Sequence, residues 1–271
     1  MGAISAYKAF LTETRVGRGR QTMRDAAADL EALWQRAPAA TREFDPQDVA
    51  RIPELARSYL THAIAPGTPL ASAVRLRMHG AIRLKRWRKF KAVQVITRDG
   101  AMVWRASVRM KGTSIRGHDS FVGGQGEMQW RLFGIIPVIR ESGADITRSV
   151  ANRVAAESVW LPSMLADKSV RWRDDGSNVA HASLSIGTYP SELQMTLDRG
   201  RLIKLGVSRW GNPDGGAFNE WPFGAYIDQE ATFGGYTIPA RLRVGWYFDD
   251  PARFDAEGKF FEVAIDDATY R

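Results

Sequence analysis

Two different spacings of hydrophobic residues divide the chain. From Gln21 to Arg36, Met23, Ala27, Leu30 and Trp34 recur at helical spacing, with Arg24, Asp25, Asp29 and Glu31 between them, which predicts an amphipathic helix. Asp45-Pro46 reads as a cap followed by a first-turn proline. Pro53 restarts the helix so that Leu55, Tyr59 and Leu60 form its apolar stripe, and Pro66-Gly67 ends it. Residues 1–66 are therefore expected to be a helical segment packing on the remainder of the chain. Beyond Thr68 the period drops to two. Val74, Leu76 and Met78 alternate with Arg75, Arg77 and His79, and Met102 through Met110 alternates in the same way. The pattern returns at Leu193–Leu197, Ile203–Val207, Leu242–Phe248 and Phe261–Ile265. Asp99-Gly100, Asp175-Gly176, Arg199-Gly200 and Gly234-Gly235 supply tight turns.

One helical pattern interrupts the strands, over 145–165, with Val150, Val154, Glu157 and Leu161 on one face. The expected fold class is thus α+β. N-terminal helices precede a large, strongly curved antiparallel sheet of about ten or eleven strands, an open half-barrel spanning 67–271 and covered by the inserted helix. The space between helix and concave sheet is the predicted pocket, with the N-terminal helices available to join the cover.

Composition narrows the chemistry. The chain has 271 residues, 44% hydrophobic and 25% charged, which suits a folded globular protein. Absence of cysteine removes disulfides, thiolate metal sites and cysteine nucleophiles. Met1–Leu11 lacks the apolar core of a signal peptide and no window approaches a spanning helix, so a cytoplasmic location is the expectation. The histidines at 62, 79, 118 and 181 are scattered without ligand spacing, so no metal is expected, and no cofactor either. Gly112–Gly117 is one residue too long for a nucleophile elbow, and Gly123–Gly126 has no following helix to hold a phosphate.

Candidate chemistry rests on two carboxylates and the tryptophans. Glu157 shares the apolar face of the inserted helix, where a carboxylate would be drawn from water in a setting that suits proton transfer; the alternative is an i,i+4 pair with Arg153. Asp119 is either a general base facing the concavity or a strand carboxylate paired with Arg116. His118 points to the opposite face and forms no dyad with it. Of nine tryptophans, Trp87, Trp104, Trp160, Trp221 and Trp246 are candidates for lining the pocket, with Arg153 meeting an acidic headgroup.

The net charge is +8, and Arg83 to Lys91 carries six positive charges around Trp87 and Phe90. This segment permits docking on an anionic membrane surface or stacking on nucleic acid. No RNP-type or helix-turn-helix pattern supports nucleic acid, and a solvated strand or hairpin edge, where lysine and arginine discourage edge-to-edge pairing, is the leading reading of the run.

The order of elements resembles the bacterial lipoprotein-carrier (LolA/LolB-like) architecture. At residue level the chain resembles an uncharacterised bacterial domain-of-unknown-function family. The features that match are the Trp87 to Phe90 segment, Trp104, Asp119, the run Arg153-Val154-Ala155-Ala156-Glu157 with Trp160 and Pro162, Trp172, Trp221, and Gly235–Pro239 with Trp246. Val154-Ala155 departs from the bulkier, more aromatic pair expected there. The resemblance implies a fold with a pocket for an apolar ligand and supplies no activity. The leading expectation is binding or transfer of a lipid-like or other hydrophobic small molecule in a Trp-rich cavity. An enzyme, whether hydrolase, isomerase or cyclase, using Glu157 or Asp119 as acid/base in the same cavity stays open beside it.

Overall fold

The computed structural model describes residues 23–134 and 136–271; Met1–Leu11 and the helix start expected at Gln21 lie outside the described residues. Helix α1 spans Met23–Arg36 and α2 spans Glu54–Ala63. Between them Asp45 caps as expected, accepting from the Gln47 N–H at 2.9 Å, but the proline after it opens only a single 3-10 turn, Pro46–Val49. Residues 37–45 are not helical, and Glu43 instead bridges to Pro69. The expectation of a continuously helical N-terminal segment is corrected accordingly.

Six strands come next: β1 (Ala73–Leu84), β2 (Arg86–Thr97), β3 (Met102–Met110), β4 (Thr113–Val122), β5 (Gln125–Leu132) and β6 (Ile136–Ser142). Then come α3 (Ala144–Glu157), a 3-10 turn (Ser158–Trp160) and α4 (Pro162–Leu165), matching the predicted insertion. Seven strands complete the chain: β7 (Arg171–Asp174), β8 (Val179–Ile186), β9 (Tyr189–Asp198), β10 (Arg201–Gly211), β11 (Asn219–Phe233), β12 (Tyr236–Trp246) and β13 (Lys259–Tyr270). A short helix, α5 (Pro251–Arg253), and one π turn join the last two.

All thirteen strands form one antiparallel sheet, in the order β6-β5-β4-β3-β2-β1-β13-β12-β11-β10-β9-β8-β7. The expected ten or eleven is too few for a physical reason. Strand β11 breaks its period of two with register shifts on both sides of Gln229, and β7 is only four residues long. The two meanders meet where β1 pairs with β13, leaving β6 and β7 as unpaired edges bridged by the helical insertion.

Strand order and helix length together show that the sheet curls. Strands β5 and β10 stand second and tenth, eight spacings apart, which is roughly 38 Å across a flat sheet. Helix α3 has 14 residues and is about 21 Å long. Yet Thr147 of α3 accepts from the Gly126 N–H on β5 at 3.0 Å, while Asn152, little more than one turn on, accepts from the Trp210 N–H on β10 at 3.1 Å. Both halves therefore wrap toward one helix. The β2–β3 and β8–β9 turns also meet, with Gly100 against Ile186.

The main core fills this wrap and includes Tyr59, Leu60 and Ala63 of α2. Helix α1 lies on the other face. Leu30 and Leu33 pack there against Val95, Ala101 and Val103, while Arg75 reaches from β1 to stack on Trp34 at 4.6 Å and pair with Glu31 at 2.7 Å. So α1 does not join the cover.

Gly126 is the seat of the covering helix. A methyl group there would lie 2.6 Å from Thr147 Cα and 3.0 Å from its backbone nitrogen, so α3 could remain only by moving. Gly126→Ala is expected to cost about 1–3 kcal/mol in urea unfolding; a loss below about 0.5 kcal/mol would show that α3 is not seated this closely.

Candidate functional site

Between α3 and the curled sheet lies a cavity of about 130 Å³. Trp104 and Trp130 line it from the first meander, Phe223 and Trp246 from the second, and Val150 and Trp160 from the helical insertion. Its polar groups are few: Asp119 on β4, Ser149, Arg153 and Glu157 on α3, and Arg209 on β10.

Arg153 organises them. Its guanidinium donates to Glu157 one turn along α3 at 2.7 Å and to Asp119 across the gap to the sheet, also at 2.7 Å. The exposures are low, 16% for the Arg153 side chain against 14% for Glu157 and 8% for Asp119. The other carboxylate oxygens are taken as well. Trp130 Nε1 donates to Asp119 at 3.1 Å, and Gln94 Nε2 on β2 donates to Glu157 at 2.6 Å. Burial by itself would lower the Arg153 pKa; the charges and hydrogen bonds of Glu157 and Asp119 outweigh it and hold the pKa above its ordinary value. The Arg153–Glu157 pair is thus the i,i+4 contact considered from sequence, extended by Asp119, which takes Arg153 rather than Arg116 as its partner.

The structure brings Asp119, Glu157, Arg153, Trp104, Trp160 and Trp246 to one cavity, and places Trp87 and Trp221 elsewhere. Trp87 is 40% exposed at the β1–β2 hairpin, with Lys259 over its ring, and Trp221 packs edge-on against Tyr247 at 5.8 Å. The basic run Arg83 to Lys91 is the tip of that hairpin. Because β1 and β2 lie in the middle of the sheet, its charges guard no sheet edge, contrary to one of the expectations. His118 lies on the α1 face, where alternation puts it.

Sequence reasoning missed Arg209. The signal was present, since Leu205 and Val207 face inward and the same step of two leads to Arg209. Its guanidinium stacks on Phe223 at 4.6 Å and Trp246 at 5.1 Å, and reaches only Ser149, at 3.3 Å to the carbonyl and 3.4 Å to the hydroxyl. Burial first, and then the charge of Arg153, lower its pKa to about 9, against the opposing pull of Glu157 and Asp119.

Removing Arg153 takes the shared cation from the buried Asp119 on the sheet and the half-buried Glu157 on α3. Arg153→Ala is expected to lose about 3–5 kcal/mol in chemical denaturation. The triple change Arg153→Met, Asp119→Leu, Glu157→Leu should recover most of that loss, and a single change costing under about 1 kcal/mol would mean the triad does not hold the helix.

Comparison with known proteins adds a family. The chain matches no curated protein sequence. Among solved structures, it is similar to a putative outer membrane lipoprotein-sorting protein domain from Vibrio parahaemolyticus, with 9% identity over 74% of this chain and 86% of that one and a TM-score of 0.39. It is also similar to a DUF1329 family protein from Desulfovibrio piger, with 12% identity, the same coverages and a TM-score of 0.40. A LolA superfamily protein from Nitrosomonas europaea shows 8% identity over 80% of this chain and 92% of that one, with a TM-score of 0.42. At such scores these likenesses carry no argument about the cavity. Residues 42–255 match a family described as a family of unknown function, DUF6544, and the chain belongs to that family.

Proposed function

We propose that the protein binds a small hydrophobic molecule in the cavity beneath α3. The observation that carries this is the lining itself: apolar and aromatic side chains from both meanders and the helix converge on unfilled space, where close packing is the rule. Leaving such space has a stability cost, because lining atoms lose contacts that a filled core would make. A bound apolar molecule restores them.

Size bounds the ligand. An engineered apolar cavity of about 150 Å³ accepts benzene. At about 130 Å³, this one takes a single ring or a short chain in its enclosed part. A longer chain would have to extend through the mouth.

The acid/base alternative has less support from the geometry than binding does. Every oxygen of Asp119 and Glu157 already accepts one hydrogen bond, from Arg153, Trp130 or Gln94, which favours a structural role for both carboxylates. Their role in this reading is to fix α3 over the cavity.

A ladder of straight-chain alcohols from butanol to dodecanol tests the proposal, read by calorimetry and by the fluorescence of the lining tryptophans. Affinity should rise roughly fourfold per methylene, the equivalent of about 0.8 kcal/mol, until the cavity is full, and then level off. Ala225→Phe, which places a ring in the cavity, should abolish binding while the protein still melts cooperatively. Affinity that climbs without a plateau, or that survives Ala225→Phe, would place the binding on the surface.

A further inference from the structure

The cavity's unmet hydrogen-bonding capacity is nearly all of one kind. A guanidinium has five N–H donors. Arg209 uses at most two of them, at lengths near the outer limit for N–H···O, on the carbonyl and hydroxyl of Ser149. No carboxylate forms an ion pair with it among the described residues, and the two nearest have all four oxygens engaged by other donors. The indole N–H groups of Trp104 and Trp246, residues only 3% exposed and both lining the cavity, have no acceptor either. Trp246 is the ring on which the Arg209 guanidinium rests.

Buried donors without acceptors are costly and therefore rare. Here the indole N–H groups of Trp104 and Trp246 are such donors, and the half-buried Arg209 guanidinium brings its uncommitted N–H groups to the same apolar space. The arrangement is complementary to a ligand that brings oxygen acceptors and negative charge on an apolar body. A single guanidinium matches a planar carboxylate through its fork, whereas a phosphate dianion would call for a second uncommitted cation, and Arg153 is already spent on two carboxylates.

We propose that the ligand is an apolar molecule ending in a carboxylate, that Arg209 receives this headgroup, and that the indole N–H of Trp246 is its nearest auxiliary donor. The inference rests on the cavity reading above and adds a head to the tail. It is consistent with the lowered Arg209 pKa, since a bound anion would restore what burial and Arg153 take away. It also explains why the inward-facing row Leu205, Val207 and Arg209 ends in a charge: the last position meets the headgroup and the first two meet the chain.

The test compares octanoate, octan-1-ol and octyl phosphate on the intact protein at pH 7 by calorimetry. Moving a carboxylate out of water into an apolar space is unfavourable unless a cation meets it, so a preference for the acid is diagnostic. Octanoate should bind roughly 10- to 100-fold tighter than octanol, the range of one charge-assisted hydrogen bond. Arg209→Met should erase that preference, leave octanol affinity within about twofold, and melt at the same or a higher temperature than the natural protein; Arg209→Lys should keep part of the preference. Equal affinity for octanoate and octanol, a preference that persists in Arg209→Met, or a melting temperature that falls sharply in that variant would overturn the headgroup role while leaving the cavity reading intact. Tighter binding of octyl phosphate would overturn the choice of carboxylate. Binding of none of the three would overturn the cavity reading, and this inference with it.

Discussion

One arginine connects the helix to the sheet. Together with Thr147 and Glu157, Arg153 holds α3, an element with no backbone pairing to any strand, in a fixed position over the first meander. Apolar contacts alone would let a helix slide along a smooth aromatic floor, because hydrophobic burial is non-directional. The bonds that cross to the sheet, Arg153 to Asp119 and Gln94 to Glu157, remove that freedom, and the same helix is fixed on the other side by Asn152, which joins Ser191 of β9 to the backbone of Trp210 on β10. The curl of the sheet and these bonds go together, since both halves reach the one helix.

Further bonds hold the helix along its length. At its start α3 is tied by Thr147 to β5 and by Asp145 to the indole of Trp210. Past its end, Trp160 donates to the Pro239 carbonyl, Tyr270 donates to the Trp160 carbonyl, and Ser163 donates to the Ala71 carbonyl. Lifting the helix would break buried bonds along its whole length at once, each leaving an unsatisfied group. These bonds hold the helix at both ends over the cavity.

Much of this was legible in the sequence, and what was not has a local cause. The period of two located β1 and β3, and Asp99-Gly100, Asp175-Gly176, Arg199-Gly200 and Gly234-Gly235 all sit in hairpin turns, where Gly200, for example, holds φ at +84°. The bulges in β11 hid a strand because an extra residue swaps the two faces partway along. Trp87 and Trp221 show the limit of reading aromatics by type: both look like pocket residues, yet alternation and turns carry them to a hairpin tip and to the Tyr247 contact. Which of two faces a strand turns inward is local information, but which strands face the same space depends on the β1–β13 closure, a pairing of chain segments nearly two hundred residues apart.

Arg153 and Arg209 show how the same residue type takes opposite roles within one cavity. The first meets two carboxylates, whose charges and hydrogen bonds outweigh the effect of burial; the second meets aromatic faces and a serine, and burial prevails. Counted together, the two arginines and two carboxylates are neutral, so the cluster carries no net charge that must leave the core. Its hydrogen bonds are nevertheless unevenly shared: Arg153 satisfies the carboxylates and leaves Arg209 without an equal partner. An apolar residue at 209 would spare the fold the cost of drawing an unpaired cation from water. A cation sits there instead, its guanidinium over the rings of Phe223 and Trp246 at the edge of unfilled space.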